Sequence, residues 1–197
     1  MNLKTAISIY GGGPGSGCNP AAWKCGRTKT KFSNSQVRDL LFTWTNVPYP
    51  GSYMQKQMKK LIIRLGTNHK ELYRGMSILK STGSGLKKFV DYRPGQEVYL
   101  ESSSFSKKKR VAMGFAKVYK EDAPVLLHIV GGVNGLDINR QIRRYLGSRD
   151  YGLDWSATGS SKFPYSSHHE VVVNGKFIVL SNELASGGMR VITLKVK

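Results

Sequence analysis

An arginine inside an apolar strand pattern is the first feature of this sequence that suggests chemistry. Arg74 lies in "LYRGMS", with Leu72 and Met76 on its own side of the predicted strand. A guanidinium there needs a partner, because burying an unpaired charge is very costly. That partner is either a neighbouring carboxylate in a structural ion pair or a phosphate or carboxylate group of a ligand, held by the planar two-pronged guanidinium. The residues alone leave both alternatives open.

A serine-rich segment leads from a predicted extended stretch into a predicted helix. It contains Ser104, Phe105 and Ser106, and the cations of "KKKR" at 107–110 follow directly. Ser106 is predicted to cap the helix, and Ser104 lies on the same side two residues earlier. Hydroxyl groups at such a junction either position a carboxylate or a ribose, or only cap the helix. The four cations oppose the helix dipole at about 0.3–1 kcal/mol each, so they either attract an anionic ligand or simply face solvent.

A carboxylate at the start of a valine-rich strand is the third feature. In "SSHHEVVV", Glu170 opens a run of three valines, and a carboxylate at that position needs a partner. The alternation places His168 on the same face as Glu170 and His169 on the other, and both histidines titrate near neutral pH. No further ligand stands at a suitable spacing, so we predict no metal site.

The elements that must position these residues are helices first and strands later. Apolar residues recur at helical spacing over 37–44, 54–65, 107–119 and 138–146. The strand-like segments are "ELYRGMSIL", "PVLLHIV", "HEVVV", "KFIVL" and "MRVITLKVK". This order predicts an α+β domain with a largely antiparallel sheet.

The chain is predicted to form one domain behind a lead segment. Residues 1–34 are rich in Gly, Ser and Lys and read as a lead segment or linker, whereas 35–197 carry the periodic elements. Residues 147–167 form a long aperiodic stretch, and loops of that length are usually functional or disordered.

The excess of positive charge indicates which class of molecule the protein binds. The sequence has 31 Lys and Arg against 12 Asp and Glu, a formal net charge of +19, which favours nucleic acid or an acidic partner over a neutral one. No segment predicts a membrane span or a signal peptide, so we expect a cytoplasmic protein without a membrane partner. Cys18 and Cys25 are expected to be free thiols, with a local disulfide as the alternative.

Taken in order, the three features resemble the arginine–serine–glutamate class of mono-ADP-ribosyltransferases. That family has an aromatic-Arg pair on a core strand, a Ser-x-Ser segment leading into a helix with an "A-x-x-F" signature, and a glutamate at the start of a late strand. The matching residues here are Tyr73-Arg74, Ser104-Phe105-Ser106 with Ala112 and Phe115, and Glu170. The resemblance covers about 35–197, and the Gly-rich lead tract is similar to tracts beside such domains in bacteriophage head-associated proteins.

The resemblance implies the fold, the co-substrate and the roles of the site residues. It implies N-terminal helices packed on a mostly antiparallel split β-sheet, and NAD as co-substrate. Glu170 would stabilise the cationic ribose as nicotinamide leaves, Ser104 would orient Glu170 and the ribose, and Arg74 would hold an NAD phosphate. The residues implied to contact NAD are Arg74, Tyr73, Gly75, Ser104, Phe105, Ser106 and Phe115.

One departure from the family pattern leaves the acceptor open. Many members have Glu or Gln two positions before the catalytic glutamate, where this chain has His168, which puts arginine as acceptor in doubt. The preceding loop, with Trp155, Phe163 and Tyr165, is where the family recognises acceptors, so these aromatics and His168 are the implied acceptor residues, with plain anchoring of the loop as the alternative for the aromatics. His168 is also an implied catalytic residue, which either accepts a proton from the acceptor or hydrogen-bonds it. The expected enzyme is a monomer that transfers ADP-ribose from NAD to a host protein or a nucleic acid, with possible delivery by a phage particle as a further expectation. The alternatives are an NAD glycohydrolase and a non-catalytic basic nucleic-acid-binding module.

Overall fold

The structure is a computed structural model, and it describes residues 32–46, 51–80, 84–145 and 168–197. Residues 1–31 and the whole predicted acceptor loop over 147–167, including Trp155, Phe163 and Tyr165, lie outside the described residues. The elements in chain order are α1 (Asn34–Asn46), α2 (Ser52–Leu65), β1 (Thr67–His69), β2 (Leu72–Ile78), α3 (Ser84–Val90), β3 (Glu97–Ser106), α4 (Lys109–Ala116), β4 (Ala123–Val130), β5 (Val133–Asp137), α5 (Ile138–Tyr145), β6 (Glu170–Leu184) and β7 (Arg190–Val196).

The predicted α+β class with a mostly antiparallel sheet is confirmed. Seven strands run in the order β1-β5-β6-β3-β2-β4-β7, and β6 also pairs with β7. Only the β4–β7 pair is parallel within this described sheet. The first part of β6 pairs with β5 and β3, and its last part pairs with β7, so this one strand connects the two halves of the sheet.

The sheet is split next to the predicted site. β2 and β3 register at a single pair, Tyr73 with Ser106, whereas β3 and β6 pair over most of their length. Ser106 is also the partner of Glu170 across the β3–β6 ladder. Three strands therefore meet at Ser106. The end of β3, with Ser106, and the start of β6, with Glu170, lie beside Tyr73 of β2.

Two apolar clusters on either side of β6 fix which way its side chains face. Val172 packs with the buried stripes of α1, α2 and α5, while Val171 and Val173 pack among the strands with Leu72 and Phe105. Because strand side chains alternate between faces, Glu170 lies on the same side as Val172, towards the helices. A third cluster, including Ala112, Ala116 and Leu126, holds α4 against β2 and β4.

Two predicted elements differ from the observed ones. The helix predicted over 107–119 is the shorter α4, because Lys107 and Lys108 precede it, Lys108 with an extended backbone, and Val118 and Tyr119 are exposed beyond its end. The two strands predicted as "HEVVV" and "KFIVL" are one continuous strand, β6, which runs through the Asn-Gly pair between them. The described helices include none long and apolar enough to cross a membrane.

Candidate active site

Ser104 connects the two charged residues that the sequence analysis singled out. Its hydroxyl donates a hydrogen bond to Oε1 of Glu170, and its backbone carbonyl accepts one from Nη1 of Arg74 at 3.2 Å. At the split in the sheet, Ser104 of β3 therefore points its hydroxyl towards Glu170 of β6 and its carbonyl towards Arg74 of β2. The structure brings Arg74, Ser104 and Glu170 together.

Glu170 is a buried carboxylate that accepts hydrogen bonds from two donors among the described residues. It is 9% exposed, and its Oε1 also accepts a hydrogen bond of 3.1 Å from the indole nitrogen of Trp44. Hydrogen bonds to an ionised acceptor are stronger than neutral ones, so this pair of donors holds the carboxylate in one orientation. Trp44 comes from α1, 126 residues before Glu170 in the sequence, and belongs to the apolar cluster that also contains Val172.

Arg74 makes one hydrogen bond to the described residues. Burial lowers the pKa of the Arg74 guanidinium, and the negative charge of Glu170 opposes that shift. Its hydrogen bond to Ser104 leaves most of its N–H donors without a partner among the described residues, and none of their carboxylates forms an ion pair with it. The described residues thus give Arg74 no structural ion pair, and its binding of a ligand anion stays a prediction.

The segment before Glu170 is fixed by the end of β3. The Ser106 hydroxyl donates to the backbone oxygen of His168 at 2.6 Å, and the backbone N–H of Lys107 donates to that of His169. Ser106 also accepts from the N–H of Lys108, but Lys108 itself is the N-cap of α4. The prediction that Ser106 caps the helix is therefore wrong, because its hydroxyl ties β3 to the start of β6 instead.

His168 and Glu170 are both buried and His169 between them is exposed, as the predicted alternation requires, although His168 and His169 precede the strand itself. Strand β6 begins only at Glu170, and His169 has a left-handed backbone with φ of 50°, which a non-glycine residue rarely adopts. The His168 ring packs edge-on against Phe115 of α4, with centroids 5.3 Å apart, whereas Glu170 contacts Trp44 of α1. The two side chains thus contact different helices, and His168 is buried where the sequence placed an acceptor-facing group.

Three residues implied to contact NAD have packing roles. An added Cβ at Gly75 would lie 1.7 Å from the carbonyl oxygen of Ala112, so α4 occupies that side of β2. Phe105 is 3% exposed in the cluster between the strands. Tyr73 stacks on His128 at 4.6 Å and donates to Glu71, which raises the pKa of Tyr73 to about 12. Contact of these residues with NAD stays a prediction.

The cations of "KKKR" do not act as one group. Lys107 forms an ion pair of 2.5 Å with Asp137 at the end of β5, whereas Lys109 and Arg110 open α4. Hydrogen bonds from Lys107 and from the backbone of Arg140 lower the pKa of Asp137 despite its burial. Within the described residues, no group of His, Cys, Asp and Glu is arranged to hold a metal ion.

Sequence reasoning missed Trp44 as a member of the site. It recognised Trp44 only as part of the apolar stripe of the first helix, together with Val37, Leu40 and Leu41, all of which are buried. The available signal was its indole N–H, which is a polar atom in an otherwise apolar stripe and needs an acceptor when buried.

Comparisons with known proteins found similarity only to solved structures. No family model matches the sequence, and a search of curated proteins gave no match. Among solved structures, the chain is similar to Vis toxin, an ADP-ribosyltransferase from Vibrio splendidus, with 15% identity, a TM-score of 0.47, and coverage of 82% of this chain and 67% of that one. It is also similar to the C3 exoenzyme of Clostridium limosum, with 14% identity, a TM-score of 0.48, and coverage of 86% and 88%.

A third similar structure contains an analogue of NAD. It is exoenzyme S from Pseudomonas aeruginosa in complex with human 14-3-3 protein beta and bound to carba-NAD, with 14% identity, a TM-score of 0.46, and coverage of 81% of this chain and 66% of that one. With TM-scores below 0.5, these similarities do not assign a family to this chain. Its function is therefore argued from the residues of its own site.

Proposed function

We propose that this protein is an NAD-dependent mono-ADP-ribosyltransferase of the arginine–serine–glutamate class. The observation that carries the proposal is the convergence of Arg74, Ser104 and Glu170, in which one serine hydrogen-bonds both charged groups. The buried carboxylate of Glu170 suits a substrate on which positive charge develops during the reaction. The half-buried Arg74, with donors that no described residue uses, suits a phosphate of the same substrate.

The proposed reaction requires little of the protein beyond electrostatics and positioning. The bond between ribose C1′ and the nicotinamide nitrogen breaks, and its electron pair goes to the pyridinium nitrogen, so nicotinamide leaves as a neutral ring. The ribose then develops oxocarbenium character, as in glycoside hydrolysis. A nucleophile of the acceptor bonds to C1′ and loses its proton, which gives the ADP-ribosylated acceptor.

Each of the three residues has a distinct role in this proposal. Glu170, oriented by Ser104 and Trp44, stabilises the positive charge that develops on the ribose. Arg74 binds an NAD phosphate through the donors that Ser104 leaves unused. Because the leaving group is neutral, no general acid is needed, and one carboxylate suffices for this step.

Replacing Glu170 by Gln tests the proposal. The amide keeps the size of the side chain and removes its negative charge, so we expect nicotinamide release to fall about 100-fold or more, by analogy with the loss of one preorganised electrostatic group. Binding of NAD and the thermal unfolding midpoint should change little. A variant that retains more than about a tenth of the wild-type rate would contradict the role of Glu170.

The same assay separates the proposed function from its alternatives. With labelled NAD and a bacterial lysate, transfer gives label bound to macromolecules. An NAD glycohydrolase gives only free ADP-ribose, and a non-catalytic binding module releases no nicotinamide at all. Exposed Glu101→Gln is a matched control, because it removes the same charge from β3 outside the site.

A further inference from the structure

One residue of a cationic cleft, His169, directly precedes Glu170 in the chain. The reaction proposed above does not use this cleft. The cleft has a volume of about 490 Å³ and lies between α5 and the junction of β3 with α4. His169, whose backbone oxygen accepts from Lys107, forms part of its wall. The cleft is thus anchored to the same segment that positions Glu170.

The charge of the cleft comes mainly from one face of α5. Arg140, Arg143 and Arg144 stand at i, i+3 and i+4, which places them on one side of the helix, and all three are exposed. Like charges at these spacings destabilise a helix. The helix is held nevertheless, because Ile138 and Ile142 are buried in the helical cluster beneath it.

The arginines are available to a ligand. None of them forms an ion pair with a carboxylate of the described residues. Asp137 is the one carboxylate in the described lining, and it is already bound by Lys107 and by the backbone N–H of Arg140. Four cations against one carboxylate leave the lining with an excess of three positive charges, not counting His169.

The chemistry of the lining indicates phosphate rather than a protein surface. Every described residue that lines the cleft is charged or polar, whereas the centre of a protein–protein interface is apolar and rich in aromatic residues. Arginine binds phosphate through two parallel hydrogen bonds, and contacts to backbone phosphates dominate the affinity of proteins for nucleic acids. The net charge of +19 acts in the same direction over longer distances.

We propose that this cleft binds the phosphodiester backbone of a nucleic-acid acceptor and presents a nucleotide to the ribose held at Glu170. The inference rests on the proposed function for the transfer step, but binding itself needs neither NAD nor catalysis. His169, in the wall of the cleft, directly precedes Glu170 in the chain, and its backbone oxygen is held by Lys107, which also lines the cleft, so the cleft lies beside the segment that leads to the carboxylate.

Binding is measured by fluorescence anisotropy with the full chain, without NAD. The probes are labelled single-stranded RNA and DNA oligonucleotides of about 20 nucleotides, titrated at several salt concentrations. The test variant carries Arg140→Gln, Arg143→Gln and Arg144→Gln together. We expect its affinity to fall about tenfold or more, and its slope of log affinity against log salt to fall by about 2, since each phosphate contact on a single strand contributes about 0.7.

The matched control removes the same number of charges elsewhere. Lys80, Lys87 and Lys88 are exposed cations at and beside α3, outside the cleft, and changing all three to Gln should lower affinity less than about threefold. An arginine variant that binds no worse than this lysine control would overturn the proposal. Circular dichroism of both variants checks that each is folded.

Two further arms identify the ligand. Poly-glutamate, which offers carboxylates in place of phosphates, should compete only weakly with the oligonucleotides, and equal competition would indicate an acidic protein partner and overturn the proposal.

Glu170→Gln should bind the oligonucleotides as the wild type does and transfer no label to them. If the wild type binds at the cleft but releases no nicotinamide with any acceptor, the proposed enzymatic function fails while the binding site stands. Transfer of label from NAD to RNA or to DNA then distinguishes the two acceptors.

Discussion

At the scale of residues, the site depends on one serine that uses both its hydroxyl and its carbonyl. The hydroxyl of Ser104 holds Glu170 and its carbonyl holds Arg74, so the positions of the two charged groups are coupled. Trp44 supplies the second donor to Glu170 from a different element. This makes Trp44 a positioning residue for the carboxylate.

Replacing Trp44 by Phe isolates the contribution of that donor. Phe keeps an aromatic ring in the helical cluster but removes the indole N–H. A hydrogen bond to a charged group is worth about 1.5–3 kcal/mol, so we expect the rate of nicotinamide release to fall about tenfold or more, with the Michaelis constant for NAD changed less than the rate. Steady-state kinetics measures this split, and Tyr119→Phe at an exposed position is the control. A loss confined to thermal stability would show that Trp44 only packs.

At the scale of elements, the close approach of α4 to β2 depends on Gly75. The Ala112 carbonyl occupies the space where a side chain at Gly75 would begin. α4 also carries Phe115, which contacts His168, and β2 carries Arg74, so this contact fixes how closely the elements that carry Phe115 and Arg74 approach each other. The resemblance implied NAD contact for Gly75, whereas the structure gives a packing reason for the same glycine.

Gly75→Ala should destabilise the protein. With a backbone oxygen 1.7 Å from the new Cβ, α4 must move, and we expect a loss of about 2–4 kcal/mol, within the range for overpacking and backbone strain. Denaturant unfolding measures it. The control is Gly85→Ala in α3, where the new Cβ meets only a side-chain atom of Ile78 at 3.5 Å; there we expect no loss, or a gain of about 0.4–1 kcal/mol. Equal effects at both positions would contradict the packing role of Gly75.

At the scale of the whole molecule, positive charge is far in excess of what the described ion pairs use. Lys107, Lys176 and Lys197 are the lysines bound to carboxylates in the described parts of the chain, and Glu97 takes two of them. The remaining cations repel one another in the folded state. The expected monomeric state and cytoplasmic location stay predictions.

The charge predicts how stability depends on salt. Because salt screens repulsion between exposed charges, the thermal unfolding midpoint should rise by several degrees, on the order of 2–6 °C, between low and about 0.5 M sodium chloride. Differential scanning calorimetry measures it, and chloride is used because sulfate stabilises proteins by exclusion from their surface. The triple arginine variant should show a smaller rise, whereas a midpoint that falls with salt would show that attractive pairs dominate.

Sequence periodicity predicted the helical stripes and the antiparallel sheet, because apolar spacing records which side of an element is buried. It did not predict that β3 is a strand over its full length, because "SSSFS" is polar. That segment forms a strand by pairing with β6, which lies far away in the sequence. Nor did it predict that α4 begins only at Lys109, or that Lys107 before it pairs with Asp137, 30 residues away.

By itself, the sequence determined which residue types were present, in which order, and that a buried arginine and a buried glutamate each needed a partner. Tertiary structure decided what those partners are. Trp44 lies 126 residues from Glu170 and Ser104 lies 66 residues from it, and such contacts leave no trace in local spacing. The physical reason is that periodicity reports the burial of a side chain, while the direction of its hydrogen bonds depends on elements that only the folded chain brings alongside.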